Sequence, residues 1–474
     1  MFELHHLSAT EQLDGVRRGD WTPRELAEHY LERIARLDPE LGAFTEVTAD
    51  RALARATSLA DAESPVSRAS ALWGLPFADK DLVARAGVPT RYGSRTMADV
   101  VPDASDDIAL AFDVAGAVSL GKTATPEFGL AGYTEPLAGR PVRNPYDRTL
   151  GVGGSSGGAA AAVAAGLLPF APGSDGGGSI RIPAAATGLV GLKPARGRIP
   201  SAAGFASLGG LVTHGPLTRT VADAALVLDA LVGATPYRHA TAAPSWDGGA
   251  FLNAAVRGEG RFQVGVTTDS PWAGDFEVGL DPEARAALDL ATAELSAIGH
   301  GVEGLTLAPE PDYPRMFSRL WQAAAAGVPL DGNAVALTEP LTRWLIGRGR
   351  AMTARELGEA LQFAALFERR LITRFAPFDA VLTPALAVVP PMLGWYDAAD
   401  AERNFAQQVR VSPYTSMVNV AGLPALALPV ARTAEGIPMG VQLIGRPGRE
   451  DVLLAIGAQL ERRLRWDRRH PPQW

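Results

Sequence analysis

The chain has no cysteine. That excludes disulfides, thiolate metal ligands and any chemistry built on a thiol nucleophile. Lysine is nearly absent too: only Lys80, Lys122 and Lys193 occur among 44 basic residues. Arginine stays protonated at any ordinary pH, whereas a desolvated lysine can lose its proton and act as a base. The three lysines are therefore candidates for work arginine cannot do; the plainer reading of each is a buried amine where a guanidinium would not fit. There is no excess of positive charge. The formal net charge is −8 with a pI near 5.5, which gives a nucleic-acid partner no electrostatic support.

Long apolar runs are also missing. Residues 149–174 carry no charge and are numerous enough to span a bilayer. They include GVGGSSGG and Pro169, however, and glycine at that density makes a poor helix. A buried loop, helix and strand is the better reading, so no membrane association is expected. The first thirty residues contain no apolar core of a secretory leader, which makes the cytoplasm the expected compartment. No repeat or low-complexity linker marks a domain boundary.

What is present is a core-forming composition rich in loops, with 47% hydrophobic residues, 51 glycines and 36 prolines. Thr22-Pro23-Arg24-Glu25 reads as a capping box with proline at the first helical position. Leu26, Tyr30, Ile34 and Leu37 follow at helical spacing, so residues 1–65 are read as an outer helical layer. A helix is expected over 221–233, capped by Thr220 and stopped by Gly233. RFQVGVTTD, a helix opening at Asp281-Pro282 and HGVEGLTL form a β-α-β pattern. Residues 310–375 read as helical without obvious chemistry. AVLTPAL, LPALALPV and MGVQLIG read as strands, followed by a helix from about Glu450. The expectation is one α/β domain, residues 1–474, with a central mixed sheet covered by helices.

Three motifs compete for the chemistry. Gly116 to Thr123 fits the phosphate-loop pattern G-x-x-x-x-G-K-T, but Ala117–Leu120 is apolar where a loop is needed and Pro126 follows where a helix should open. A buried strand ending at a glycine turn is the better reading. Gly153-Gly-Ser155-Ser-Gly157 fits the G-x-S-x-G nucleophile elbow. Its lead-in RNPYDRTLGVG is polar rather than strand-like, and His214, His239 and His300 are undistinguished partners. The third reading takes two glycine–serine clusters together, GGSSGG at 153–158 and SDGGGSIRIP at 174–183. Ser155 or Ser156 would sit at a helix N-terminus among unpaired amides. Gly176, Gly177 and Gly178 could turn their N–H groups toward a substrate oxygen beside Ser179.

These stretches, with GLKPARGRIP after them, resemble the amidase signature family, whose core reads approximately GGSSGGS, then G-[TS]-D-x-GGSIR-x-P, then GLKP. Gly74-Leu-Pro76-Phe-Ala-Asp-Lys80-Asp81 resembles the family's G-x-P-x-x-x-KD, and GLPALALPV with GIPMGVQLIG its carboxyl-terminal signature. The likeness runs from about residue 8 to 460. It implies a signature core over 71–233, a variable substrate-facing region over 236–375 and a carboxyl-terminal part of the core over 376–474. It implies Lys80 as general base, Ser155 as the serine after a cis peptide that bridges base and nucleophile, and Ser179 as nucleophile. The oxyanion donors would be the amides from Gly176 to Ser179. Asp175 and Arg181 would brace the loop, Ser174 would keep a hydroxyl where threonine is usual, and Ser156 would support the site. Asp81 is a weaker, structural candidate. The chain departs from the family at Ala159, Ala124 and Gly176, where serine, asparagine and a larger residue are usual.

The implied activity is hydrolysis of a carboxylic amide, with esters as side substrates, no metal or organic cofactor, and a monomer or homodimer. A serine hydroxyl needs a base within hydrogen-bond reach, and a lysine must be desolvated to be neutral near pH 7–8. A partner-dependent amidotransferase subunit is the alternative. Its family stretch SRYGLIAFASSLDQ is replaced here by IPSAAGFASLGGLVTHGP, which favours a free-standing amidase. An elbow-type esterase with Ser155 as nucleophile is a further alternative. Trp321, Tyr133 and Phe128 are candidate pocket aromatics, although such residues more often belong to the core.

Overall fold

The computed structural model describes residues 3–61, 63–199, 207–233, 243–244 and 248–474. The amino-terminal capping box closes as expected. Thr22 accepts the Glu25 N–H at 3.1 Å, and Glu25 accepts the Thr22 N–H at 2.7 Å. The helix Pro23–Leu41 runs from there to the left-handed Gly42, burying Leu26, Tyr30 and Ile34. The helix Val221–Gly233 starts where Thr220 accepts the Asp223 N–H at 3.1 Å.

Two sheets are seen among the described residues where the strand pattern suggested one. Strands β1 (Phe44–Val47), β2 (Pro76–Lys80) and β3 (Val118–Thr123) form a small sheet in the order β1-β3-β2. The larger mixed sheet contains β4 (Phe170–Asp175), β5 (Val190–Lys193), β6 (Thr213–Thr218), β7 (Gln263–Val266), β8 (Gly301–Gly304), β9 (Ala380–Pro384), β10 (Ala425–Arg432) and β11 (Pro438–Gly445). Its order is β4-β6-β5-β10-β11-β9-β7-β8, antiparallel except at β9-β7-β8. The β-α-β pattern read from the sequence is this parallel end, with the helix Pro282–Ile298 as its crossover. Hydrophobic periodicity reports that a segment is a strand and is silent about its partner. That is why the small sheet was not foreseen.

The helix Gly157–Ala164 has every residue buried and touches β2 and β3 of the small sheet and β4 and β6 of the large one. Its glycine and alanine side chains let backbone approach from all round, as an all-apolar internal helix requires. The uncharged run 149–174 is thus a loop, this short helix and most of β4. No helix among the described residues is long and apolar enough to cross a membrane.

Candidate active site

Lys80 is the last residue of β2, and β2 ends against β4. Its amine is 1% exposed and lies 2.7 Å from Ser155 Oγ, 2.9 Å from Ser156 Oγ and 3.1 Å from Ser174 Oγ. Burial lowers its pKa from the ordinary 10.5 to about 7, with the Asp175 carboxylate pulling the other way. A neutral amine has two N–H donors and one lone pair, so three surrounding hydroxyls can satisfy it with one donating to nitrogen.

The two serine clusters meet here. The Gly154–Ser155 peptide is cis. A side chain on Gly154 would place its Cβ 2.7 Å from the Tyr133 backbone, so only glycine fits there. Ser156 caps the helix Gly157–Ala164 and donates its N–H to the Ser179 carbonyl at 3.1 Å, which ties the second cluster to the first.

Asp175, at the end of β4, organises the turn that carries Ser179. Its carboxylate accepts N–H from Gly178 (2.7 Å) and Ile180 (3.1 Å) and a two-pronged bond from Arg181 (both 2.9 Å). Burial would raise its pKa, but the Arg181 guanidinium holds it well below the usual carboxylate range. Arg181 is itself buried and reaches the Thr415 carbonyl at 3.0 Å and Asn419 Oδ1 at 2.6 Å. Thr415 Oγ1 donates to the Gly177 carbonyl at 2.6 Å, pinning the loop from its other side. Asn419, Thr415 and Gln442, another partner of Arg181, were missed in the sequence because nothing local marks them; they lie more than 230 residues from the loop.

One expectation is corrected. Gly178 does not belong with the amides free for a substrate oxygen, because its N–H is given to Asp175. The amides of Gly176, Gly177 and Ser179 have no protein acceptor among the described residues.

The other two lysines do different work. Lys122 lies inside β3, donates to the Val83 carbonyl and Thr90 Oγ1, and pairs with Asp81 at 3.7 Å. A lysine held in a strand this way leaves no phosphate loop. Asp81 is thereby structural, with its carboxyl pushed up to about 6 by burial. Lys193 in β5 donates to the Pro194 carbonyl at 2.9 Å, and burial lowers its amine to about 7 without bringing it to a hydroxyl. The elbow reading also fails locally. No strand runs into Ser155, and no histidine bonds to it among the described residues. His214 sits in β6 opposite Ser174, lowered to about 4 by burial and by the Lys80 charge. His300 accepts the Phe262 N–H near the start of β7, and His239 lies outside the described residues.

Ser179 and Gly177 open onto a cleft of about 510 Å³, its solvent-filled mouth included. Of the three aromatic candidates Trp321 lines it, with Phe317, from the helix Tyr313–Ala326. Tyr133 stacks instead on Tyr396 at 4.0 Å, and Phe128 packs in an adjoining apolar cluster.

A family model, Amidase, matches residues 25–454. The chain belongs to the amidase signature family. It is 37% identical to the candidate amidase AmiB2 of Mycobacterium tuberculosis (strain ATCC 25618 / H37Rv), covering 99% of this chain and 98% of that one. It is 34% identical to a glutamyl-tRNA(Gln) amidotransferase subunit of Moorella thermoacetica, with 99% of each covered. Among solved structures it is similar to 6-aminohexanoate cyclic dimer hydrolase complexed with substrate, with a TM-score of 0.89, 31% identity and 99% of each chain covered. The amidase signature chain is thus an enzyme of the class that hydrolyses carbon–nitrogen bonds other than peptide bonds.

Proposed function

We propose that the enzyme hydrolyses a small carboxylic amide through an acyl-enzyme on Ser179, with Ser155 as relay and Lys80 as base. The observation that carries this reading is the 2.7 Å contact of Lys80 Nζ with Ser155 Oγ, at an amine lowered to about 7. Neutral Lys80 takes the Ser155 proton as Ser155 takes that of Ser179, and Ser179 Oγ attacks the carbonyl carbon. The developing oxyanion faces the amides of Gly176, Gly177 and Ser179, which have no acceptor among the described residues. As the C–N bond breaks, the proton returns through Ser155 to the leaving nitrogen, releasing ammonia or an amine. A water molecule deprotonated by the same relay then attacks the acyl ester, and the carboxylic acid leaves with Ser179 restored. Esters enter the same sequence with an alkoxide leaving group. Trp272, Phe317 and Trp321, from the region read as substrate-facing, line the cleft before Ser179.

Intact-mass analysis with a panel of amides tests this: an acyl adduct mapping to Ser179 is expected. An adduct on Ser155, or undiminished activity in Lys80→Ala, would overturn it. The 34% likeness to an amidotransferase component supports a second reading in which a partner protein is needed. Turnover of simple amides by the purified chain alone decides against that.

A further inference from the structure

The cleft in front of Ser179 is walled by aromatic rings and, among the described residues, has no ionisable acid or base in its lining. Trp321 stacks on Phe317 with centroids 5.8 Å apart and 16° between planes. Phe317 meets Trp272 edge-on at 5.3 Å, and Trp272 meets Phe405 edge-on at 6.0 Å. Polar side chains of the wall are hydrogen-bonded within the protein. Trp272 Nε1 donates to Ser416 Oγ at 2.9 Å. Gln408 accepts the Gly132 N–H at 2.8 Å and donates to Asn404 at 2.7 Å. The Ser179 hydroxyl and the Gly177 amide remain open to a ligand, at the reacting end.

Gly176 explains how Trp321 comes to stand there. A Cβ at position 176 would lie 3.2 Å from the indole Cζ3 and 3.1 Å from Val212 Cγ2. Without that side chain the indole lies against the loop that carries Ser179. Its Nε1–H then donates to the Leu130 carbonyl at 3.1 Å, which pins the ring across the cleft. The absent side chain at 176 therefore seats an aromatic ring.

We propose that the substrate is an uncharged amide with a flat, ring-sized apolar group beside the scissile bond, and that Trp321, seated on Gly176, selects it. This rests on the reading of Ser179 as nucleophile. A ring entering the cleft exchanges water for stacked and edge-on aromatic contacts. A charged group on the aromatic wall, away from the reacting end, loses hydration and meets no counter-charge among the described lining side chains.

The test compares benzamide and acetanilide with 4-carboxybenzamide, 4-acetamidobenzoate and L-glutamine. The neutral ring-bearing amides should show kcat/KM about 100-fold above the charged ones, given the cost of an unpaired charge in an apolar site. Trp321→Ala should raise KM for benzamide about tenfold, several-fold more than it changes KM for acetamide, since a pocket contact of this kind acts on binding. Trp321→Phe, which keeps a ring, should fall between wild type and Trp321→Ala. Charged and neutral analogues turned over within threefold of each other, or equal losses on benzamide and acetamide, would overturn the proposal. Calorimetry on Ser179→Ala separates the two readings. Selective binding of benzamide there, without acylation in the wild type, would uphold the selector and sink the nucleophile. Acylation of Ser179 without ring selectivity would do the reverse.

Discussion

Asp175 Oδ1 accepts the N–H of Gly178 at 2.7 Å, so the carboxylate that shapes the 175–181 turn also takes up one of its glycine amides. The same carboxylate faces Arg181 at 2.9 Å in a fully buried pair. Removing its charge leaves a buried guanidinium uncompensated. Asp175→Asn is expected to cost about 3–5 kcal/mol of stability at pH 7, read from urea or thermal melts. The native carboxyl is held below its unfolded value, so its contribution is present above about pH 4 and fades as pH falls toward its folded pKa. The gap between wild type and variant should therefore narrow in melts near pH 3.

Activity should follow the Lys80 amine. The base must be neutral, and burial sets its pKa near 7. We expect kcat/KM to rise with pH through about 7 and then to level. Lys80→Ala should remove about 10²- to 10⁴-fold of the rate, the usual worth of a general base, and the limb with it. A pH–rate profile unchanged in Lys80→Ala would refute the assignment.

Lys122 provides the contrasting case. Its amine sits between the Val83 carbonyl, Thr90 and Asp81, away from the serines. Lys122→Ala should leave the Asp81 carboxyl buried and unpaired, costing about 3–5 kcal/mol in denaturant melts. At a temperature where the variant is folded, the alkaline rise of kcat/KM should keep its midpoint. A shifted midpoint would mean that Lys122 shares in the catalytic titration.

Gly178 is irreplaceable for two reasons. Its φ is +136°, and a Cβ there would fall 2.5 Å from Thr415 Oγ1. Gly178→Ala must displace the turn that presents the Gly177 and Ser179 amides. The expected loss in kcat is about 10²- to 10³-fold, comparable to losing an oxyanion donor, with a smaller change in KM. Steady-state kinetics and a melt on the same preparation would show whether the effect exceeds mere destabilisation.

Local structure was largely legible before the fold. The Thr22–Glu25 capping box, the Thr220 cap and the parallel β7-β8 unit depend on residues close in sequence, and each formed where its pattern stood. The bracing of the 175–181 loop was not legible. Asn419 donates to the Asp175 backbone carbonyl at 2.8 Å and to its carboxylate at 2.9 Å, across 244 residues. No spacing rule reaches that far. The small sheet that delivers Lys80 was likewise invisible, since strand patterning carries no record of pairing.

The sequence alone determined the chemical repertoire: no thiol, three lysines that could lose a proton, and two glycine-flanked serine clusters carrying a family pattern. Tertiary structure decided which members of that repertoire meet. It put Lys80 rather than Lys122 or Lys193 among the serine hydroxyls, gave the Gly178 amide to Asp175 and left its neighbours open, and set Trp321 in the space above Gly176. The reason is physical. Residue type sets what a group can donate, accept or titrate, whereas desolvation and hydrogen bonding depend on ångström-scale distances between segments that only packing brings together.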